Sequence, residues 1–199
     1  MGKIFMIIGK SATGKDTLYH RVVSELQGEI CEITMYTTRP IRSGEVDGAQ
    51  YFFVNEERYF ELLNLGKIIE ERAYNTIYGV WRYFTVDDGQ FNFKEKNYIM
   101  MGTIEVYEKL KDYFGESNVV PIYVEVENGV RLERALARER AQREPKYTEM
   151  CRRFLADEQD FSEEKIEKAK IRKRYQNIDL EICLGEIIQD IRLETNEQG

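Results

Sequence analysis

Gly9-Lys10-Ser11-Ala12-Thr13-Gly14-Lys15-Asp16-Thr17 follows a short buried-strand run, Lys3 to Ile8, and precedes a segment with Leu18, Val22 and Leu26 at helical spacing. A strand, then this loop, then a helix is the context that gives G-x-x-x-x-G-K a chemical meaning. Gly9 and Gly14 let the backbone wrap so that successive N–H groups converge on phosphate oxygens. The helix N-terminus adds its partial positive charge, and Lys15 reaches for the β- and γ-phosphates. Gly9, Ser11, Ala12, Thr13, Gly14, Lys15, Asp16 and Thr17 are therefore the expected ATP-binding residues. Asp16 stands where Ser or Thr normally offers a hydroxyl to Mg2+. A carboxylate beside phosphates needs a cation between them, so Asp16 is the candidate Mg2+ ligand, directly or through water. Thr17 is its rival, turned by about 100° around the helix.

Outward from the loop, strands and helices alternate, which predicts an α/β fold with a parallel sheet flanked by helices. Further strands are expected over Ile30–Tyr36, Asn97–Met101 and Val119–Val126. Helices are expected over Lys15–Leu26, Ile104–Phe114, from Val130 to about Glu139, over about Thr148–Lys170 and over about Leu180–Leu193, with a frayed tail from Glu194 to Gly199. Residues of about 37–90 differ in texture. They are rich in Tyr and Phe and hold the turn signals Gly44, Asp47-Gly48 and Asp88-Gly89. They read as an inserted lobe with strands Tyr51–Val54 and Ile68–Tyr74 around a helix Glu56–Leu65. Residues 82–96 show no clear period and fit strand and helix equally.

The 199 residues suit one domain able to bury a sizeable core. No apolar run approaches the length of a membrane span, and the start lacks a signal-peptide pattern, so a cytoplasmic protein with no membrane partner is expected. Cys31, Cys151 and Cys183 are too scattered for a disulfide framework or zinc site, and read as reduced packing residues. The one histidine, His20, reads as a surface residue. A net charge of −7 speaks against nucleic acid as a partner.

Tyr36-Thr37-Thr38-Arg39-Pro40-Ile41-Arg42-Ser43-Gly44-Glu45-Val46-Asp47-Gly48, followed by Tyr51-Phe52-Phe53-Val54, sets two guanidiniums three residues apart and adds a phenol nine residues later. Two Arg forks and a Tyr hydroxyl suit a dianionic monophosphate. Between Arg131 and Arg153 lie eight basic and four acidic residues, a local charge of +4. Arg134 and Arg138, at i,i+4, share a helix face. Such charge can close over the equatorial oxygens of a transferred phosphoryl group. Arg131, Arg140 and Arg143 fit a salt-bridged surface helix instead.

The T-T-R…R-x-G-E-V-x-G…Y-x-F run, following the phosphate loop at this distance, resembles the guanylate kinase family over nearly the whole chain. The resemblance implies a P-loop kinase fold in a single domain spanning 1–199. Its core would be 1–36, 97–130 and 171–195, its monophosphate lobe about 37–90, and its Arg-rich lid about 131–153. It implies ATP and Mg2+ as donor and cofactor, small-molecule nucleotides as partners, and GMP or dGMP as acceptor. By position, Arg39, Arg42, Tyr51 and Tyr78 would hold the acceptor phosphate, and Glu70 would accept from guanine N1 and N2. Asn177 would lie near adenine, and Arg134, Arg138 and Arg153 would join Lys15 in catalysis.

Some positions depart from the family. Met35 stands where a serine would touch guanine O6, Val80 replaces a hydroxyl residue, and Tyr98-Ile99-Met100-Met101-Gly102-Thr103 carries no acid. One residue also falls short near Asn75-Thr76. Loss of such donors relaxes guanine selection. An absent strand acid together with Asp16 suggests that the acid organising Mg2+ has moved into the loop. The G-K-D loop and the Tyr78-Gly79-Val80 triplet also resemble ribose 1,5-bisphosphate phosphokinases, which are not expected to keep Arg39, Arg42, Tyr51 and Glu70 together. A non-catalytic binding module of this fold would be expected to degrade the ATP loop, which is intact here.

Overall fold

The structure, a computed structural model, describes residues 2–76 and 78–196. Its elements in chain order are β1 (Ile4–Ile8), α1 (Lys15–Glu25), β2 (Ile30–Glu32), β3 (Tyr36–Thr37), β4 (Phe52–Phe53), α2 (Glu56–Asn64), β5 (Ile68–Thr76) and β6 (Gly79–Val86). There follow β7 (Asn97–Gly102), α3 (Ile104–Phe114), β8 (Val119–Glu125), α4 (Asn128–Arg140), α5 (Tyr147–Asp160), α6 (Glu163–Lys168), β9 (Arg174–Gln176) and α7 (Leu180–Asn196).

Every residue of β1 is buried, as expected of a central parallel strand covered on both faces. It pairs with β7 and β8 in a five-stranded parallel sheet of order β2-β7-β1-β8-β9. Alternation along β1 divides the core. Ile4, Met6 and Ile8 point to α3 and α6, where they meet Val106, Leu110 and Ile166. Phe5 and Ile7 point to α1 and α7, where they meet Leu18, Val22, Leu184 and Ile187. The expected α/β sheet flanked by helices is thus present.

A second sheet, of order β4-β3-β6-β5, stands apart. Its hairpin pairs Glu70 with Thr85, Arg72 with Tyr83 and Tyr74 with Trp81. These six residues share one face. The opposite face, with Phe84 and Val86, packs on Tyr59 and Leu62 of α2. One side of the lobe sheet is therefore sealed and the other is free to line a site.

Several readings of local structure change. The strand expected over Ile30–Tyr36 divides into β2 in the first sheet and β3 in the second, so the chain leaves the core at Ile33–Met35. Residues 82–96 begin with most of β6 and then turn towards β7. The strand β9 is too short and polar to have a period. The helix expected from Thr148 to Lys170 breaks after Asp160, because Phe161 leaves helical geometry and is buried against Tyr123, with centroids 6.2 Å apart. Ser162 is extended and starts α6. The frayed tail is helical from Glu194 to Asn196, and residues 197–199 lie outside the described residues. No helix among the described residues is long and apolar enough to cross a membrane.

Phe161 therefore acts as an anchor at a helix break. Phe161→Ala is expected to lower unfolding stability by about 3–5 kcal/mol, read as an earlier midpoint in urea at unchanged slope.

Candidate active site

The phosphate loop is shaped by close approaches. A Cβ at Gly9 would lie 2.5 Å from the Val124 carbonyl oxygen. Gly14 has φ +84°, and a Cβ there would lie 2.4 Å from Asn177 Nδ2. Both positions need glycine for space, and Gly14 for conformation as well. Between them Ala12 takes φ +64°, uncommon for a residue with a Cβ. Such a backbone persists only where its surroundings over-determine it, and here they do. On the inner side, Thr13 Oγ1 donates to the Lys10 carbonyl at 2.9 Å, and Asn177 Nδ2 donates to the Thr13 carbonyl at 2.7 Å. The Asn177 backbone N–H in turn bonds Glu125 at 3.0 Å, and its carbonyl accepts from Arg134 Nη2 at 3.0 Å. Asn177 therefore holds loop, sheet and α4 together.

The outer side is held by Arg131, whose side chain is 0% exposed. Its Nε donates to the Ser11 carbonyl at 3.1 Å. Nη1 donates to Asn128 and Glu158, both at 2.7 Å, and Nη2 to Asp157 at 3.1 Å. Asp157 also accepts the Ser11 N–H at 2.7 Å, and Glu158 accepts Lys10 Nζ at 2.9 Å. The surface role expected for Arg131 is thus corrected: burying a guanidinium requires partners for nearly all its N–H groups, and two adjacent acids of α5 and the loop carbonyl supply them. Burial pushes the Glu158 carboxyl up, but hydrogen bonds from Lys10, Arg131 and Asn128 outweigh it and hold the group at about 2.

Along the loop's mouth, a 370 Å³ cavity is lined by Gly14, Lys15, Asp16, Arg134, Arg138 and Asn177, among others. Ala12 and Thr17 also border it. Lys15 Nζ lies 3.4 Å from Asp16 Oδ1, and the Asp16 side chain is 66% exposed. A single accessible carboxylate of hard oxygens fits a cation that takes its remaining ligands from phosphates and water. Among the described residues no cluster of three His, Cys, Asp or Glu is arranged to hold a metal by itself. Arg153 of α5 shares a smaller crevice with Ser11 and Arg138. The fold thus brings the loop and Arg134, Arg138 and Arg153 to one region.

In the lobe, Arg39 is buried and its two Nη atoms both donate to Glu45 at 2.8 Å. Glu45 also accepts the Arg42 N–H at 2.7 Å. The Arg39 and Arg42 contacts hold its carboxyl at about 2. The Arg39 guanidinium lies 5.7 Å from the Tyr51 ring and 5.3 Å from that of Phe53. The Arg42 side chain is exposed and makes no hydrogen bond or ion pair among the described residues. Glu70 is buried on the free face of the sheet, accepts from Thr85 Oγ1 at 2.7 Å, and burial raises its carboxyl above the usual range. Tyr78 lies elsewhere: it is 77% exposed at the β5–β6 hairpin tip and stacks on Trp81 at 6.2 Å.

Tyr83, which the sequence reading passed over, joins the Arg39 cluster, with its ring 5.6 Å from that of Tyr51 and 5.7 Å from that of Tyr74. The alternation Trp81, Tyr83, Thr85 was the signal that could have found it. His20 is exposed as expected, whereas Cys151, expected to pack, is exposed and Cys31 only half-buried.

A family model described as guanylate kinase matches residues 1–165. A guanylate kinase of Ehrlichia canis is 35% identical over 88 residues, 44% of this chain and 42% of the relative. One of Legionella pneumophila is 37% identical over 79 residues, 39% of this chain and 37% of the relative. The chain thus spans less than half the length of either relative. Among solved structures, a guanylate kinase of Anaplasma phagocytophilum superposes with TM-score 0.61 at 21% identity, over 97% of this chain and 86% of that one. That likeness shows a shared fold.

The buried cluster yields two expectations. Arg131→Met leaves Asp157 and Glu158 without their shared cation, and should cost about 3–5 kcal/mol of stability by chemical denaturation. Because the folded carboxyl of Glu158 titrates near 2 and an unfolded one near about 4.3, its contribution is complete above the latter value. It is lost as pH falls towards the former. The thermal midpoint should fall across this window, and fall less in Glu158→Gln.

Proposed function

The chain belongs to the guanylate kinase family, and from that premise we propose that it transfers the γ-phosphoryl group of ATP to a nucleoside monophosphate, GMP or dGMP. The observation that carries this reading is the cavity in which Lys15, Asp16, Arg134 and Arg138 converge on an intact phosphate loop. A binding module would need none of these charges aimed at one point. Residues that hold the acceptor stand on a separate lobe, so donor and acceptor enter from different elements.

The acceptor phosphate oxygen attacks the γ-phosphorus in line as the bond to the β–γ bridging oxygen breaks. ADP departs with that electron pair, and no protein nucleophile is required. The loop N–H groups and Lys15 hold the β- and γ-phosphates. Arg134, Arg138 and Arg153 neutralise charge on the equatorial oxygens and, on lid closure, exclude water. Asp16 would hold Mg2+, which supplies charge neutralisation between the phosphates when bound. For that, the Lys15–Asp16 pair has to part, the ammonium turning to phosphate and the carboxylate to the cation. Arg42 is free to take the acceptor phosphate. Arg39, already tied to Glu45, presents a fixed edge beside the Tyr51 and Tyr83 hydroxyls. Three unpaired cysteines, one of them exposed, suit a reducing, cytoplasmic setting.

ADP release with GMP, dGMP, IMP, AMP, UMP and ribose 1,5-bisphosphate tests the reading. GMP and dGMP should give the highest kcat/KM. Preference for the bisphosphate would replace the reading with a sugar-phosphate kinase, and no acceptor-stimulated release would favour a binding module. Lys15→Ala should reduce kcat by about 10²-fold or more. Arg42→Ala should raise the acceptor KM about tenfold or more and leave the KM for ATP nearly unchanged. Asp16→Ala should shift the Mg2+ dependence to higher concentration.

A further inference from the structure

Glu70 and Arg72 alternate along β5 and therefore project from the same free face of the lobe sheet. The Glu70 side chain is 2% exposed, and its Oε2 lies 3.3 Å from Arg72 Nε. Arg72 Nε is itself buried and makes no hydrogen bond. Its Nη2 reaches the Met35 sulfur at 3.5 Å, a weak acceptor, and among the described residues Nη1 has no partner. A guanidinium held this way is under-used: one salt contact of poor direction and one thioether leave most of its donors unspent. Arg72 also borders a cavity of about 320 Å³ between β5 and the first turn of α3, where it and Tyr74 face Thr103 and Glu105.

As a purely structural device this arrangement is poor. Taking a Glu–Arg pair out of water costs several kcal/mol per ion unless further hydrogen bonds are made, and here the further bonds are missing on the arginine side. A ligand that accepts from Arg72 and donates to Glu70 would supply them. A 6-oxopurine with a 2-amino group presents that order along one edge: a carbonyl acceptor at C6, then N1–H, then the amino group. Adenine, with an amino group at C6 and a bare N1, presents the reverse. Met35 offers no donor of its own and only packs against the guanidinium.

We propose that Arg72 is a specificity-determining residue, donating from its guanidinium to the 6-oxo group of the acceptor purine while Glu70 accepts from N1–H and the 2-amino group. The inference rests on the reading of this face as the acceptor site of a nucleoside monophosphate kinase. It adds to that reading a donor for the carbonyl, at a residue drawn from β5 instead of from the strand leading into the lobe.

The test uses binding, so that it is separable from turnover. The fluorescent 2-aminopurine riboside 5′-monophosphate, which lacks the 6-oxo group, is titrated into the full chain and into Arg72→Ala and Arg72→Gln. GMP and IMP are then measured by its displacement. Comparison is made within each ligand between the unaltered chain and the variants, because 2-aminopurine also lacks N1–H. Arg72→Ala should weaken GMP and IMP about 10- to 100-fold and change the 2-aminopurine nucleotide less than about threefold. Arg72→Gln, which keeps a neutral donor, should recover part of the loss. Equal weakening of all three ligands would mean that Arg72 only holds Glu70 in place, and unchanged GMP affinity would mean that it does not touch the base; either overturns the proposal. Failure of the unaltered chain to bind any of the three would overturn the acceptor-site reading as well. Selective binding without ADP release would keep the base reading and remove the kinase.

Discussion

A guanidinium with no access to water organises this molecule. Arg131 cannot be buried without partners for its N–H groups, and the partners it has come from three places: the phosphate-loop carbonyl of Ser11, the start of α4 at Asn128, and the acids Asp157 and Glu158 of α5. Desolvation makes the set all-or-none, since each missing partner leaves a charge or a donor stranded in a low dielectric. The same two carboxylates also take Lys10 and the Ser11 N–H. The outer wall of the loop is thereby welded to the end of α5, and the left-handed Ala12 is clamped between that wall and the Thr13–Asn177 contact. Arg153 lies one turn before the weld on α5, so its position is tied to a fixed point beside the loop.

Charge in the second sheet and its loops follows a different pattern. Arg39 is matched to Glu45, Arg82 to Glu71 and Arg72 to Glu70, so each lobe arginine within the sheet brings an acid of its own. Only Arg42 stands outside these pairs among the lobe arginines discussed. In a chain of net charge −7, this pairing offsets the charge of these arginines while preserving directed donors. What the lobe offers is oriented N–H groups and phenol hydroxyls more than a bulk positive field.

What could be read from the sequence follows from how local each signal is. The loop from Gly9 to Lys15, the strand β1 and the helix α3 declare themselves through spacing and composition within a dozen residues, and they stand where expected. The TTR run likewise marked the lobe. Readings failed where distant packing decided. Charge alone suggests one helix over Thr148–Lys170, but Phe161 leaves it to pack in the core beside Tyr123. The run Ile30–Tyr36 has strand composition throughout, yet its two ends belong to different sheets. Arg131 looked like one more basic residue on a solvated helix, because nothing within a turn of it announces that Asp157, Glu158 and Ser11 will surround it. Tyr83 was hidden for the opposite reason: its alternation was present, but in a stretch with too many aromatics to show which face was free.

Asn177 and Thr13 are 164 residues apart and share a hydrogen bond that fixes the loop. During synthesis the loop emerges well before the asparagine that sets its inner wall. Until the segment carrying Asn177 has docked beside β8, the glycine-rich segment has its sequence but not its shape, so the loop is encoded at one point of translation and takes its form only at a much later one. The two sites are also locked in heredity. With a Cβ at Gly14 lying 2.4 Å from Asn177 Nδ2 and φ at +84°, a larger residue at 14 is barred by space and by conformation, and a smaller one at 177 unties the loop.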